Sequence, residues 1–229
     1  MKIALFLNND IHSAMALRCL SSFLLQHEVK IFLSQKIGGE ASLPKEIIEM
    51  KKYEEYSIQD HFNYDTTCCL NVNSADFVKT ITDFAPDLII SIRFGQIFKS
   101  AIIKIPKYGI LNLHSGILPN YRGVLASFWA ILNGEKKIGT TLHYVTDSTI
   151  DTGKIIGFSK CNVDPKLSLS ANISNLYNGG YALLVSTIDK ICDGQTIDTI
   201  EQKNLGEGAY FSYPDEDDVK KFLEIMPLF

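Results

Sequence analysis

The sequence has no apolar run of the about 18 residues needed to cross a membrane, and no signal-peptide pattern at its start. Its 5 cysteines include no Cys-x-x-Cys pair, and its 5 histidines show no His-x-x-x-His spacing. Zinc and structural disulfides are therefore disfavoured, and we expect no metal site. Met1-Lys2 leads straight into a strand-like run. These features predict a cytoplasmic chain that is complete at its N-terminus.

Positive charge and glycine-rich loops are also scarce. The chain has 22 Lys and Arg against 26 Asp and Glu, a net charge of −4, so we expect no nucleic-acid partner. No Gly-x-Gly-x-x-Gly follows a predicted strand, and no Gly-x-x-x-x-Gly-Lys-[Ser/Thr] occurs, which disfavours dinucleotide binding and nucleotide hydrolysis. The segment NNDIHSAM (8–15) after the first strand lacks the glycine typical of a tight phosphate loop.

Short apolar runs alternate with segments of helical periodicity. With 229 residues, 46% of them hydrophobic, the chain has room for one large α/β domain or one domain with a small appendage. The pattern predicts a Rossmann-like, doubly wound and mainly parallel sheet covered on both faces. The predicted strands cover residues 2–8, 29–34, 67–72, 87–92, 109–115 and 139–146. The predicted helices in this part cover residues 12–25, 74–85 and 124–134.

The C-terminal part has a different pattern. One long helix is predicted over residues 168–192, with a weak point at Gly179-Gly180. A polar, strand-like stretch follows, and after it the sequence GAYFSYPDEDDVKKFLEI predicts an aromatic strand and a helix with an acidic start. The strand-like stretch covers residues 196–203. We therefore predict a catalytic domain over 1–195 and a C-terminal extension over 196–229.

Asn112 and His114 lie one residue apart in LNLHSGILPNYRG, where a buried strand should end. Side chains alternate along a strand, so both face one crevice at the strand end, where ligands bind in such folds. Asp151 is the carboxylate best placed to serve them, with Asp147 as its competitor. These groups suit addition to a carbonyl: Asn and protonated His stabilise an oxyanion, His moves a proton, and Asp holds the imidazole. A purely structural histidine remains the alternative.

The stretches NLHSGILPNYRG and FWAILNGEKKIGTTLHYVTDSTIDTGKII resemble the formyltransferases that use 10-formyltetrahydrofolate. That family's pattern is N-x-H-x-S-L-L-P-x-x-R-G, followed by G-x-T-x-H and D-x-G-x-I, and the likeness covers about residues 88–156. The resemblance implies that Asn112, His114 and Asp151 are catalytic and that 10-formyltetrahydrofolate is the co-substrate. Gly116 stands where the family has serine, which puts a serine-mediated contact in question.

The resemblance also implies where the ligands bind. The pterin is expected near residues 94–97 and the 145–151 loop, largely on backbone groups. The expected cofactor-binding residues are Phe94, Gly95, Gln96, Ile97, Val145, Thr146 and Asp147. The candidates for binding the acceptor are Arg93, Tyr121, Arg122, Trp129 and His143. Plain alternatives stay open: a surface position for Arg122, helix core for Trp129, and for Arg93 a charge at a buried strand end that must reach a partner or solvent.

Three classes of acceptor are compatible with this family. Methionyl-tRNA formyltransferase carries an additional C-terminal RNA-binding barrel, whereas few residues follow the long helix here and the charge is negative. Glycinamide ribonucleotide transformylase has a similar length, but it holds phosphate on a glycine-rich loop after the first strand. Sugar N-formyltransferases fit best, because they share the FWA element, the H-Y-V…D-T-G sequence and a short tail with an aromatic strand.

We therefore predict formyl transfer to the amine of a nucleotide-linked amino sugar, dTDP-4-amino-4,6-dideoxyglucose, for surface-polysaccharide (O-antigen) synthesis. The alternatives are a purine-pathway enzyme of the glycinamide ribonucleotide transformylase type and a catalytically silent folate-binding relative. Tyr210, Phe211 and Tyr213 form more aromatic surface than a short tail buries alone. This surface predicts a homodimer contact over residues 196–213.

Overall fold

Nine strands form two sheets in the computed structural model, which describes residues 1–34 and 43–229. The strands are β1 (Lys2–Asn8), β2 (Glu28–Ser34), β3 (Thr66–Cys69), β4 (Leu88–Ile92), β5 (Ile110–His114), β6 (Arg122–Gly123), β7 (Lys137–Val145), β8 (Ile155–Asn162) and β9 (Tyr210–Phe211). The main sheet has 7 strands in the order β3-β2-β1-β4-β5-β7-β8, and β6 pairs with β9 in a small second sheet. This architecture confirms the predicted α/β class.

Helices cover both faces of the main sheet. They are α1 (Ile11–Leu24), α2 (Lys45–Glu54), α3 (Ile58–His61), α4 (Ala75–Phe84), α5 (Ser100–Ile103), α6 (Ala126–Leu132), α7 (Leu169–Cys192) and α8 (Glu216–Leu223). Asp10, Ser74 and Ser168 begin α1, α4 and α7, because each side chain accepts a hydrogen bond from a backbone N–H three residues on. Asp215 and Asp218 form a capping box at the acidic start of α8.

The alternation of side chains along β1 divides the core into two layers. Leu5 and its neighbours on one face pack in the cluster that contains α1 and α7. Phe6 faces the other way and stacks on Phe32, at 4.9 Å between ring centroids, in the cluster with Phe77 of α4. Leu5 and Phe6 are fully buried, which explains why the strand has a continuous apolar sequence.

Strand direction changes beyond β5. The strands β3, β2, β1, β4 and β5 pair in parallel, whereas β7 runs antiparallel to both β5 and β8. No strand is predicted over 155–162, because β8 is an edge strand whose side chains are mostly half-buried or exposed. It therefore lacks the continuous apolar run that marks the central strands. The sheet is mainly parallel, as predicted, with this antiparallel end.

The helix α7 is continuous through Gly179 and Gly180, so the predicted weak point is wrong. A Cβ atom on Gly180 would lie 2.5 Å from Thr140 Oγ1 of β7. A Cβ atom on Gly179 would collide with Ser159 Oγ of β8. The two glycines allow the helix to pack closely against the antiparallel strands, which no larger side chain would permit.

The C-terminal extension packs on the domain that precedes it. The strand predicted over 196–203 is wrong, because these residues hold one isolated bridge, between Ile200 and Ile155, before a 3₁₀ turn at Gln202–Leu205. The predicted aromatic strand is β9, which pairs in parallel with β6. Phe211 of β9 stacks on Tyr121 and Trp129, at 5.6 and 5.0 Å between ring centroids.

These intramolecular stacks bury part of the surface on which the homodimer prediction rests. Phe211 is half-buried within its own chain, whereas the side chain of Tyr210 stays 56% exposed. The homodimer contact and the division into 1–195 and 196–229 stay predictions. In the described ranges, the helices include none that is both long and apolar enough to span a membrane. The same residues contain no group of three or more His, Cys, Asp or Glu side chains arranged to hold a metal ion.

Candidate active site

The end of β5 carries Asn112 and His114, and the neighbouring strand β7 carries His143. The antiparallel register places Asn112 directly opposite His143. The amide nitrogen Nδ2 of Asn112 lies 3.0 Å from Nε2 of His143. Residues two apart on one strand and opposite on the next share a face, so three polar side chains meet at this strand end.

Asp151 joins them from the loop between β7 and β8. Its carboxylate accepts a hydrogen bond from the backbone N–H of Gly123, with a nitrogen–oxygen distance of 2.9 Å. Oδ2 lies 3.5 Å from His114 Nδ1, and Oδ1 lies 3.5 Å from His143 Nε2. Oδ1 is also 3.4 Å from Asn112 Nδ2. The structure thus gathers the predicted Asn, His and Asp, with His143 as a fourth member, around one carboxylate.

Asp147, the competing carboxylate, has different partners. It is exposed, and it accepts hydrogen bonds from the backbone N–H of Thr149, at 2.7 Å, and from the hydroxyl of Thr149. These bonds lower the pKa of the Asp147 carboxyl. Of the two candidates, Asp151 is the one that contacts the histidines.

The carboxyl of Asp151 is held in its ionised form. Burial by itself raises the pKa of this group, but the charge of His114 and the hydrogen bond and charge of His143 outweigh that effect. The N–H of Gly123 adds to them, so the pKa of Asp151 lies well below its usual value. Asp151 is therefore an anion throughout the neutral range, at the centre of the site.

Main-chain carbonyls fix the orientation of both imidazoles. His114 Nε2 lies 2.7 Å from the carbonyl oxygen of Tyr121, and His143 Nδ1 lies 2.9 Å from that of Tyr144. A carbonyl can only accept, so each of these nitrogens carries a hydrogen. Nε2 of His143 faces both Asn112 Nδ2 and the Asp151 carboxylate. The remaining nitrogen of His114, Nδ1, faces the Asp151 carboxylate.

The site lies in the wall of a cavity of about 440 Å³. The predicted folate-binding residues line the same cavity: Phe94, Gly95, Gln96, Ile97, Val145, Thr146 and Asp147. The side chain of Gln96 is used inside the protein, because its amide accepts from the N–H of Val72 and donates to the carbonyl of Cys69, both at 2.8 Å. The side chains of Phe94 and Ile97 supply apolar surface. Folate binding at these residues stays a prediction.

Three predicted acceptor-binding residues are not brought to this cavity. Among the described residues, its wall does not include Tyr121, Arg122 or Trp129. The hydroxyl of Tyr121 donates to Glu135 at 3.1 Å, and the indole N–H of Trp129 donates to the carbonyl of Ser212 at 2.9 Å. These side chains hold the C-terminal extension instead, so the structure gives no support to a direct ligand contact.

Arg93 lies in the cavity wall but is paired with carboxylates. Its Nε is 2.8 Å from Asp10 Oδ2, and its Nη2 is 3.2 Å from Glu54 Oε2. The other oxygen of Glu54 lies 3.0 Å from His12 Nε2. Burial lowers the pKa of Arg93, but the charges of Asp10 and Glu54 outweigh burial and raise it. The guanidinium is therefore a structural cation, and its predicted contact with the acceptor stays a prediction.

Glu54 makes the stability of the folded protein depend on pH in the acidic range. Burial raises its pKa, but the hydrogen bond from His12 and the charge of Arg93 outweigh burial and lower it from 4.5 to about 2. A depressed carboxyl pKa stabilises the folded state above the unfolded value of 4.5, and this stabilisation is lost as the pH falls through 2. The contribution is about 3 kcal/mol at most.

Between about pH 5 and pH 2, the free energy of unfolding should fall less in Glu54→Gln than in wild type, because the variant has no carboxyl to protonate at this position. Urea unfolding across this range measures the effect. Glu224→Gln, at an exposed position after α8, is the matched control and should keep the wild-type slope. Equal slopes for wild type and Glu54→Gln would contradict the assignment.

Gly116, which departs from the family's serine, has no room for a side chain. A Cβ atom there would lie 2.6 Å from Ala126 Cβ and 2.7 Å from both His114 Nε2 and the carbonyl oxygen of Tyr121. The last two atoms form the hydrogen bond that orients His114. The glycine therefore suits the close packing of this site, and a serine would have to displace the imidazole or the backbone.

Gly116→Ser is expected to reduce activity even though it restores the family's residue. Overpacking costs about 1–3 kcal/mol of stability, and moving the imidazole by about 1 Å can lower kcat by about 10²-fold. Steady-state kinetics and thermal unfolding measure the two effects. Gly194→Ser is the control, because the space around Gly194 is open; its φ of 69° should cost some stability, but kcat should stay at the wild-type value. A fully active Gly116→Ser variant would refute this explanation.

One residue of the site is missed by sequence analysis. Gln202, in the 3₁₀ turn, is buried, and its amide donates to the carbonyls of Asp151, at 2.7 Å, and Gly153, at 2.8 Å. A single glutamine in a polar stretch carries no local signal of such contacts, because its partners lie about fifty residues earlier in the chain.

Comparison with known proteins identifies the family. The formyl transferase family model matches residues 38–188, more than half of the chain. The chain therefore belongs to the formyl transferase family, as its motifs predict.

The curated relatives with similar sequences include methionyl-tRNA formyltransferases. The methionyl-tRNA formyltransferase of Clostridium acetobutylicum is 40% identical over 124 residues, which cover 53% of this chain and 39% of that protein. The chain thus spans well under two thirds of the length of the curated relatives it matches.

Similar solved structures include two N-formyltransferases. A 4-N formyltransferase from Francisella tularensis has a TM-score of 0.67 and 17% identity, covering 100% of this chain and 89% of that one. An N-formyltransferase from Helicobacter canadensis, solved with folinic acid and dTDP-3-aminofucose, has a TM-score of 0.64 and 21% identity, covering 95% and 72%. At these identities the likeness establishes the fold alone.

Proposed function

We propose that this protein transfers a formyl group from 10-formyltetrahydrofolate to the amine of a nucleotide-linked amino sugar. The observation that carries the proposal is the contact of Asn112, His114 and Asp151 in the wall of a cavity of about 440 Å³. An amide donor, an imidazole and a buried carboxylate at one strand end are the groups that acyl transfer to an amine requires.

Each residue has a separate task in this reaction. The acceptor amine attacks the formyl carbon, and negative charge develops on the formyl oxygen. Asn112 Nδ2 donates to that oxygen, and the long 3.4 Å contact from Nδ2 to Asp151 is the bond that the amide exchanges for it. The neutral form of His114 takes a proton from the attacking amine, stabilises the oxyanion as the imidazolium, and then delivers the proton to the departing folate nitrogen. Asp151 stabilises the imidazolium in between.

The cavity wall fits a folate donor. Phe94, Ile97 and Val145 supply apolar surface beside the polar groups of the 145–151 loop, a combination suited to a flat heteroaromatic ring with polar edges. When bound, 10-formyltetrahydrofolate supplies the formyl group. Residues 94–97 and 145–147 would hold its pterin, and the proposed reaction calls for no metal.

A nucleotide-linked amino sugar is the acceptor that we favour. The Francisella protein is named a 4-N formyltransferase and covers this whole chain, and the Helicobacter protein was solved with an aminofucose linked to dTDP. Tyr210 and Tyr213 of the C-terminal extension lie in the cavity wall, where an aromatic ring can stack on a nucleobase or pack against a sugar. The proposed acceptor is dTDP-4-amino-4,6-dideoxyglucose, used in surface-polysaccharide synthesis, and the proposed location is the cytoplasm.

Methionyl-tRNA is the second candidate acceptor. The relative with 40% identity carries that activity in its name. Within the described residues, the cavity wall has five carboxylates and two basic side chains, Lys51 and Arg93. The carboxylates are Asp10, Glu54, Glu55, Asp147 and Asp151. The net charge of the chain is −4, so tRNA lacks its usual electrostatic attraction here.

An acceptor panel tests the proposal. The protein is incubated with 10-formyltetrahydrofolate and, separately, dTDP-4-amino-4,6-dideoxyglucose, methionyl-tRNA or glycinamide ribonucleotide, and each product is examined by mass spectrometry for added CO. Formylation of the amino sugar supports the proposal, and formylation of another acceptor reassigns the substrate. If no acceptor is formylated, the protein is a silent folate-binding relative, which folate titration would reveal.

A further inference from the structure

We propose that Gln202 is a positioning residue, which holds the Asp151 loop in its working conformation from the C-terminal extension. The inference rests on the proposed function, because Asp151 is given its catalytic role there. It adds a residue that lies outside the region matched by the family model, which ends at residue 188. The active site would then be incomplete without the segment that follows α7.

Every hydrogen-bond donor and acceptor of the Gln202 side-chain amide has a partner. Nε2 donates to the carbonyl oxygens of Asp151 and Gly153, at 2.7 and 2.8 Å. Oε1 accepts from Nε and Nη2 of Arg122, at 3.1 and 3.0 Å. Carbonyls only accept and a guanidinium only donates, so the amide has a single satisfactory orientation. Two donors and two lone pairs are satisfied at a position that is 5% exposed.

The loop that Gln202 holds is in an unfavourable backbone conformation. Asp151 has a φ of 55°, in the left-handed region that side chains other than glycine seldom adopt. The neighbouring Gly153 approaches the backbone of Tyr144 so closely that a Cβ atom would collide with it. Hydrogen bonds to the carbonyls on both sides of this turn therefore fix where the Asp151 side chain points.

Arg122 links Gln202 to β6, the strand that also contacts Asp151. Its side chain holds Gln202, and the N–H of the next residue, Gly123, donates to the Asp151 carboxylate at 2.9 Å. The short strand β6 thus fixes Asp151 twice, directly at its carboxylate and through Gln202 at its carbonyl. This arrangement accounts for an arginine in the motif that does not face the cavity.

Two variants separate this role from simple packing. Gln202→Leu removes all four hydrogen bonds. Gln202→Glu keeps the shape and pairs with Arg122, but it places an acceptor oxygen against the two carbonyls. We expect both variants to lower kcat by about 10²-fold with little change in KM for 10-formyltetrahydrofolate, because the carboxylate is misplaced by about 1 Å. The acceptor in this assay is dTDP-4-amino-4,6-dideoxyglucose.

Hydrogen–deuterium exchange gives a readout independent of activity. Amides of residues 147–153 should exchange faster in both Gln202 variants than in wild type. Phe222→Leu is the control, because Phe222 of α8 stacks on Phe128 of α6, at 4.3 Å between ring centroids, outside the β6–β9 pair and the Asp151 loop. This variant weakens the packing of the extension, and it should lower the melting temperature with kcat and loop exchange unchanged.

The outcomes are distinct. A Gln202→Glu variant with wild-type kcat and loop exchange would overturn the inference, as would an equal effect of Phe222→Leu on loop exchange. If wild-type protein formylates none of the acceptors, the proposed function fails, while loop exchange still decides whether Gln202 positions Asp151.

Discussion

Asn112→Ala is expected to lower kcat by about 10²–10³-fold, the usual effect of removing one donor to a developing oxyanion. His114→Asn should be at least as damaging, because it removes both a donor and the proton carrier. The two side chains share one strand face, and the backbone hydrogen bonds of β5 do not depend on them. The fold should therefore survive, as circular dichroism and thermal unfolding can verify.

Matched controls exist for both changes. Asn178 is exposed on α7, and His61 is exposed at the end of α3. Asn178→Ala and His61→Asn make the same chemical replacements away from the site, and both should keep wild-type kcat. An Asn112→Ala or His114→Asn variant that retains most of its turnover would refute the proposed mechanism. Loss of turnover together with loss of folded structure would instead assign these residues a structural role.

Asp151→Asn should lower kcat by at least about 10²-fold, because the anion that orients and charges the imidazole is replaced by a neutral amide. In wild type, kcat/KM is expected to rise from about pH 6 to 8, as the acceptor amine loses its proton. Asp151 does not change its ionisation between pH 6 and 8, because its pKa lies well below its usual value, so it does not contribute to this rise in kcat/KM. The variant lacks the carboxylate that lies 3.5 Å from His114 Nδ1, so its pH profile should differ in shape from that of wild type.

The control is Asp198→Asn, in an exposed stretch before the 3₁₀ turn. It should retain both the wild-type rate and the wild-type pH profile. A near-normal rate and an unchanged profile for Asp151→Asn would make Asp151 a turn residue, and Asp147 would then be the carboxylate to test. Kinetics with both substrates saturating separates kcat from changes in KM.

Local patterns in the sequence determine much of this protein. The runs 2–8 and 87–92 have apolar centres, at 3–7 and 88–90, because their strands are buried on both faces, and this pattern suffices to predict a parallel sheet. Asn112 and His114 could be placed on one face because alternation along a strand involves neighbours alone. Ser74 and the acidic start of α8 are capping signals of the same local kind.

Contacts between distant residues are decided by the tertiary structure. The antiparallel direction of β7 is invisible in its sequence, since a buried strand has the same pattern in either direction. Gly179 and Gly180 indicate a weak helix until strands β7 and β8 are placed against them. Arg122 has the chemistry of a phosphate ligand, but its partner is Gln202, 80 residues further on. A side chain's chemistry is local, whereas the group that satisfies it is chosen by packing, and packing brings together residues that the sequence keeps apart.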